Sequence, residues 1–276
     1  MLAKRIQTAL VWVVSLQLLC GLRANAQTQL PPQKTYQFNN GQWFDGKQFQ
    51  PQTFYAVNGL LTHRKPKVVD EVVDLQNGYV VPPYGDVHTH NLDNPYNIDP
   101  QVGMYLKDGV FYVKVLCNSL SGARAVADKV NRPTSVDVRY AMGGLDGNNS
   151  HALMTYEGIG LGYYTYQAQQ AHKAEILKSR RRENDCYYII DTQADLDRKW
   201  PMILAGKPDF IKVFLLHSED FEKRKQAQGY GEGIDPKLLP KIVAKAHAPK
   251  PRLPLHRAIG VQGITRAFIL FAHFFM

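Results

Sequence analysis

Tyr79-Val-Val-Pro-Pro-Tyr-Gly-Asp-Val-His-Thr-His90 joins an apolar run to a His-x-His pair at the point where a strand should end. Residues two apart on a strand project to the same face, so this spacing presents the imidazoles of His88 and His90 to one ion. Neutral imidazole suits zinc and similar divalent metals. Asp86 is close enough in sequence to join the metal shell or to orient a histidine. The same spacing also fits two solvent-exposed strand histidines, so the surrounding sequence has to decide.

Upstream, a Gln/Pro linker from Gln27 to Lys34 leads into three strand signals, Thr35–Phe38, Thr53–Val57 and Lys67–Asp74. They are separated by Asn39-Asn-Gly and Asn58-Gly, read as hairpin turn chemistry. Residues 27–77 therefore predict a small β-domain segment. From residue 78 the pattern changes to strands alternating with helices, the signature of a parallel α/β architecture. Expected strands are Gly78–Val87, Val110–Cys117, Ser135–Met142 and Asp209–Leu216, with a short one at Tyr187–Ile190. Expected helices are Asp99–Lys107, Ser121–Val130, Tyr164–Arg182, Gln193–Leu204 and Pro236–His247.

The strand Pro208-Asp-Phe-Ile-Lys-Val-Phe-Leu-Leu216 carries one lysine among apolar side chains. An edge-strand lysine would snorkel to water. Here apolar residues crowd both faces, as in a parallel strand covered on each side, where an ammonium is costly unless paired or neutralised. His256 follows the last expected helix, after prolines at 249, 251 and 254, and Pro254 is awkward in a central strand. His247 reads as an exposed helix end. His63, His151, His172 and His217 lack metal spacing and read as surface or locally bonded histidines, His217 lying just past the Lys212 strand.

Val72-Val-Asp-Leu-Gln-Asn-Gly-Tyr-Val-Val-Pro-Pro before Asp86-Val-His-Thr-His90, together with Asp209-Phe-Ile-Lys212, resembles the amidohydrolase superfamily in its imidazolonepropionase and Xaa-dipeptidase-like branch. The resemblance spans roughly Thr35 to Ala248. It implies an α/β fold, a partial (β/α)8 TIM-like barrel over 78–248 behind the small β-domain. It implies His88, His90, Lys212 and His256 as metal ligands, with zinc or another divalent metal, binuclear in full-length relatives. Lys212 matches a lysine that reacts with carbon dioxide to give a carbamate ligand, a reaction favoured by desolvation because only the free amine attacks. The implied chemistry is hydrolysis of amide or cyclic-amide C–N bonds in a small-molecule or peptide-like substrate.

Past His256 the family pattern stops. No acidic residue follows Asp235 to serve as the general base, and residues 249–276 read as an aberrant tail without barrel rhythm, suggesting truncation or a frameshift. The expected product is a weakly folded, self-associating hydrolase-family chain of doubtful activity. The alternatives are a non-catalytic exported metal- or ligand-binding fragment, or a hydrolase of different design using Asp86 or Asp93 as base.

Residues 1–26 read as a signal peptide. Lys4 and Arg5 precede an apolar stretch that is short for a membrane span, and Ala24-Asn-Ala26 is a cleavage signal. A periplasmic or secreted protein follows. The net charge of +9 invites a nucleic-acid reading, yet residues 27–235 hold 23 basic and 24 acidic side chains. That near-neutral body offers no footprint for phosphate backbones. The run Lys178-Ser-Arg-Arg-Arg182 reads as a solvated helix end. Cys20 leaves with the signal, while Cys117 and Cys186 sit beside apolar runs and read as buried thiols.

Overall fold

The protein is described here by a computed structural model covering residues 34–228 and 232–248 and the backbone of 269–272. The expected signal peptide and His256 lie outside the described residues. The chain divides into two units, Met1–Pro82 and Pro83–Met276.

The first unit is a sheet of β1 (Tyr36–Phe44), β2 (Phe49–Val57), β3 (Leu60–Thr62), β4 (Glu71–Asp74) and β5 (Tyr79–Val80), ordered β3-β2-β1-β4 with β5 also on β1. Asn58 and Gly59 take φ of 51° and 77°, the left-handed pair that a tight hairpin between β2 and β3 demands. Asn39-Asn-Gly41 is not a turn. It lies inside β1, where the register shifts between Phe38 and Gly41 and Asn40 has φ 54°, because a bulge uses the same left-handed tolerance as a turn. The β1–β2 turn is built by Asp45, whose Oδ1 accepts the N–H groups of Lys47 (2.8 Å) and Gln48 (3.0 Å).

The second unit alternates strands and helices as expected. In order they are β6 (Tyr84–Thr89), α1 (Ile98–Lys107), β7 (Val110–Val115), α2 (Leu120–Ala125), β8 (Asp137–Tyr140), β9 (Gly144–Asp146), α3 (His151–Gly160), α4 (Tyr166–Ala171), α5 (Lys173–Ile176), β10 (Tyr187–Ile189), α6 (Gln193–Ala205), β11 (Ile211–Phe214), α7 (Phe221–Gln228), a 3-10 turn (Pro236–Leu238), α8 (Leu239–His247) and β12 (Ile269–Ala272). The run expected as one strand from Gly78 is split at Pro82-Pro83. Tyr79–Val80 pairs within the first unit, and β6 begins the second. α3, β9 and α7 were not expected from the sequence. Within the stretch read as lacking barrel rhythm, Ile269–Ala272 pairs in parallel with β11.

Strand pairing in this unit is parallel, in two sheets ordered β6-β7-β8 and β10-β9-β11-β12. The fold is thus mixed α/β, and the described strands form no closed barrel. Met142 (φ 53°) and Gly143 (φ 91°) bend the chain between β8 and β9, at the end of the expected third strand, and β9 then pairs in the other sheet. Asp209 laces the gap. Its N–H donates to the Tyr140 carbonyl (2.9 Å), and its Oδ2 accepts from the Tyr140 N–H (2.9 Å).

Alternation along each strand sorts the cores. Val113, Val115, Val136 and Val138 pack with Ile98, Val102, Ala123 and Val126 of the α1–α2 layer. Ile211, Val213 and Leu215 pack with Leu196, Trp200 and Ile203 of α6 and Ile242 of α8. Lys212 and Phe214 therefore face the opposite side of β11.

Candidate metal centre

β6 delivers the two histidines as the spacing predicts. Thr89 is buried between an exposed His88 and an exposed His90, and the two imidazole centroids lie 5.6 Å apart. Asp86 is engaged at the strand end. Its Oδ1 accepts the His88 N–H (3.1 Å) and its Oδ2 accepts the Tyr105 hydroxyl (3.1 Å), so it fixes the strand end on which the histidines ride.

Lys212 is 1% exposed on a strand buried throughout. Its Nζ has no hydrogen-bond partner and lies 4.9 Å from the Phe214 ring centroid. Burial pushes the ammonium down to about 8, with only the Cys117 thiol opposing. Desolvation first, and then the Lys212 charge, hold the His88 imidazole below its ordinary value. The same two causes act on His90, against a backbone hydrogen bond at Cys117. The histidines at the end of β6 and the β11 lysine thus share one neighbourhood.

β9 adds a carboxylate. In the parallel register Lys212 pairs with Gly144 and Val213 with Leu145, which puts Asp146 on the Lys212 face. Asp146 is fully buried, and its Oδ2 accepts the first amides of α3, from Ala152 (2.9 Å) and Leu153 (3.1 Å). Its Oδ1 has no partner, and burial raises the acid to about 6. Asp93, half-buried, is likewise raised to about 6 by burial, against a hydrogen bond from the Ser119 backbone. Gly144 makes the close packing possible, because a Cβ there would fall 2.5 Å from the Phe214 ring and 3.0 Å from the Cys117 sulfur.

His151, exposed as a surface histidine is expected to be, packs beside this face. It opens α3, its ring centroid is 5.7 Å from that of Phe214, and it interacts electrostatically with His90 and Lys212. No spacing in the sequence signals it, because the approach depends on the unexpected β9–α3 turn. The other histidines are elsewhere. His63 packs at a tilt against Phe54 (4.1 Å), His172 stacks on Tyr163 (4.1 Å), and His247 is exposed at the end of α8. His217 joins Glu219 and Asp220 in a group whose ligand atoms all lie within 4.8 Å. His217 already pairs with Glu232 (3.3 Å) and Asp220 with Arg224 (2.9 Å). A His-x-Glu-Asp string directly after a strand was the sequence signal for that group.

Cys117 and Cys186 are free buried thiols. The Lys178–Arg182 run is not simply a solvated helix end. The N–H groups of Arg181 and Arg182 and the hydroxyls of Ser179 and Tyr187 all bind Glu157. Burial raises that acid, but those donors outweigh it and hold the carboxyl below its ordinary value. Tyr156 donates to the Cys117 carbonyl, whereas Tyr164 and Tyr166 are exposed.

No family model and no curated protein matches the sequence. The chain is similar, at low identity, to several solved structures. They include Aspergillus niger ochratoxinase (15% identity, TM-score 0.41, 66% of this chain and 46% of that one). They also include a Xaa-Pro dipeptidase with methionine in its active site (11%, 0.45, 66% and 47%) and molinate hydrolase (16%, 0.45, 66% and 45%). The chain spans about half the length of these structures.

Proposed function

We propose that the Lys212 face is the metal centre of a hydrolase acting on amide or related C–N bonds, in an exported protein whose parallel sheets form an unclosed (β/α)8-type wall. The observation that carries this reading is the Lys212 ammonium, buried with no hydrogen-bond partner beside two histidines turned to one side. A buried lysine without a partner is a standing cost to the fold, which a metal-site role explains and packing does not.

The donor set fits a divalent cation. Two neutral imidazoles are borderline ligands suited to zinc, and Lys212 with its lowered pKa supplies free amine to capture carbon dioxide as a carbamate, with one proton released. His88, His90 and Lys212 would hold the ion, with His256 as the ligand suggested by resemblance. When bound there, the ion supplies a Lewis acid that polarises the scissile carbonyl and acidifies water. Asp86 positions His88 through its backbone amide. A general base has to reach the attacking water, and Asp93, raised to about 6 by burial, is the acid the sequence offers for that role. Glu157 is excluded from that role, because its oxygens are committed to structural donors.

The test is zinc and cobalt binding by the purified chain, with 13C-bicarbonate present. A carbamate carbon signal and metal binding, each lost in Lys212→Ala and the metal binding lost in His88→Ala, are the expected results. Metal binding unaffected by both substitutions overturns the assignment.

A further inference from the structure

The first unit carries a groove that the Lys212 face does not involve. It encloses about 420 Å³, within the range of small-ligand sites, and is lined by Asn40, Gln42, Pro51, Gln52, Thr53 and Asn77 around Gly41. None of these described lining residues carries a charge. Gln42 Nε2 donates to Asn77 Oδ1 (2.6 Å), and Asn40 Nδ2 donates to Asp74 Oδ1 (3.0 Å). Those bonds leave Gln42 Oε1 and Asn40 Oδ1 to accept and Asn77 Nδ2 to donate, and Gln52 and Thr53 add a further carboxamide and a hydroxyl. Asn40 and Asn77 take φ of 54° and 61°, and the Asn77 N–H donates to the Asn40 carbonyl (2.7 Å). Glycine would adopt those angles at less steric cost, whereas asparagine adopts them and adds a carboxamide to the groove. Asn40 also stands in the β1 bulge, a feature that re-aims side chains.

We propose that this carboxamide-lined groove of the β-unit is a binding site for a neutral saccharide. An ionic ligand would meet no counter-charge in the lining, and an apolar one would strip water from the amides without replacing their hydrogen bonds. A peptide recognised by strand addition needs a free sheet edge. β1 offers none here, because Gln42 pairs with Pro51 of β2 on one side and with Tyr79 of β5 on the other. Sugar hydroxyls both donate and accept, as the carboxamides and the Thr53 hydroxyl do, and the Pro51 ring gives the C–H face of a sugar an apolar surface. The site lies wholly within the first unit and stands independently of the metal-centre reading.

The experiment uses the full chain in EDTA, with maltotriose, cellotriose and triacetylchitotriose as probes and triglycine and galacturonate as comparisons. Saturation-transfer difference NMR and calorimetry read the binding. At least one neutral trisaccharide should bind, and more tightly than either comparison. Asn77→Gly keeps the left-handed backbone and removes the carboxamide, so it should weaken that binding by roughly 2–10-fold while its circular dichroism matches the parent. Gln52→Ala should weaken it by a similar factor, and His88→Ala should bind like the parent. The inference is overturned if none of the trisaccharides binds, or if triglycine or galacturonate binds in their place. Trisaccharide binding that survives both groove substitutions unchanged, or that is lost in His88→Ala, overturns it as well.

Discussion

The buried Lys212 ammonium should make the protein less stable than its Lys212→Met variant at neutral pH, and by a pH-dependent amount. Burial lowers the lysine from 10.5 to about 8, and each pKa unit corresponds to about 1.36 kcal/mol between protonation states. The folded chain therefore carries about 3 kcal/mol of penalty wherever the lysine is charged in both states, below about pH 8. Between about 8 and 10.5 the unfolded chain holds a proton that the folded chain has released, so parental stability rises with pH across that window. Methionine has nearly the same length and no charge, so its chain should not show that rise. Urea titrations of both proteins, metal-free and in CO2-free buffer, are expected to favour the variant by about 3 kcal/mol at pH 7, with the gap closing towards pH 10. A variant less stable than the parent at pH 7, or a gap that does not change with pH, would refute the reasoning that Lys212 is stranded.

Gly147→Ala would place a Cβ 1.7 Å from the Gly233 carbonyl oxygen. Because that atom is backbone, a loss above about 3 kcal/mol is expected, beyond ordinary overpacking, and thermal unfolding reads it. Glu157→Gln puts an amide donor among the four donors that now bind the carboxylate. The expected cost is about 2–3 kcal/mol with no change in cobalt affinity, checked by urea unfolding and metal titration. Export predicts that N-terminal sequencing of secreted protein begins at Gln27. A chain starting at Cys20 or keeping Met1 would contradict it.

The candidate site's arrangement was legible where strand periodicity alone controls direction. His88 and His90 share a face because two residues make one pleat, and Lys212 showed itself as a lone charge in a strand with apolar residues on both faces. What escaped depends on backbone turns that composition does not announce. Asn39-Asn-Gly41 has hairpin chemistry but bends a strand, since a bulge and a turn ask the same of φ. Tyr79–Val80 looked continuous with the His-x-His strand, although Pro82-Pro83 removes the amide donors needed to carry the ladder through. α3 begins right after the turn-like Asn148-Asn-Ser150 and contains Gly158 and Gly160, so its helical pattern is faint. With α3 hidden, the packing of His151 against Phe214 had no visible signal.

The seam between β8 and β11 has a mechanical consequence. Elsewhere neighbouring strands are zipped by repeated backbone rungs, but across this seam Asp209 contributes one amide and one carboxylate oxygen to Tyr140. A zipper spreads load over many rungs, whereas a clasp concentrates it on one. Between the sheet with the histidine pair and the sheet with the lysine this clasp is one of several ties, Ser121 binding Asp185 and Tyr156 the Cys117 carbonyl elsewhere, and Asp209→Ala loosens it without touching either ladder. In hydrogen exchange, the Tyr140 amide becomes a gauge of that clasp, opening ahead of the Val113 and Val213 amides deep in the two sheets.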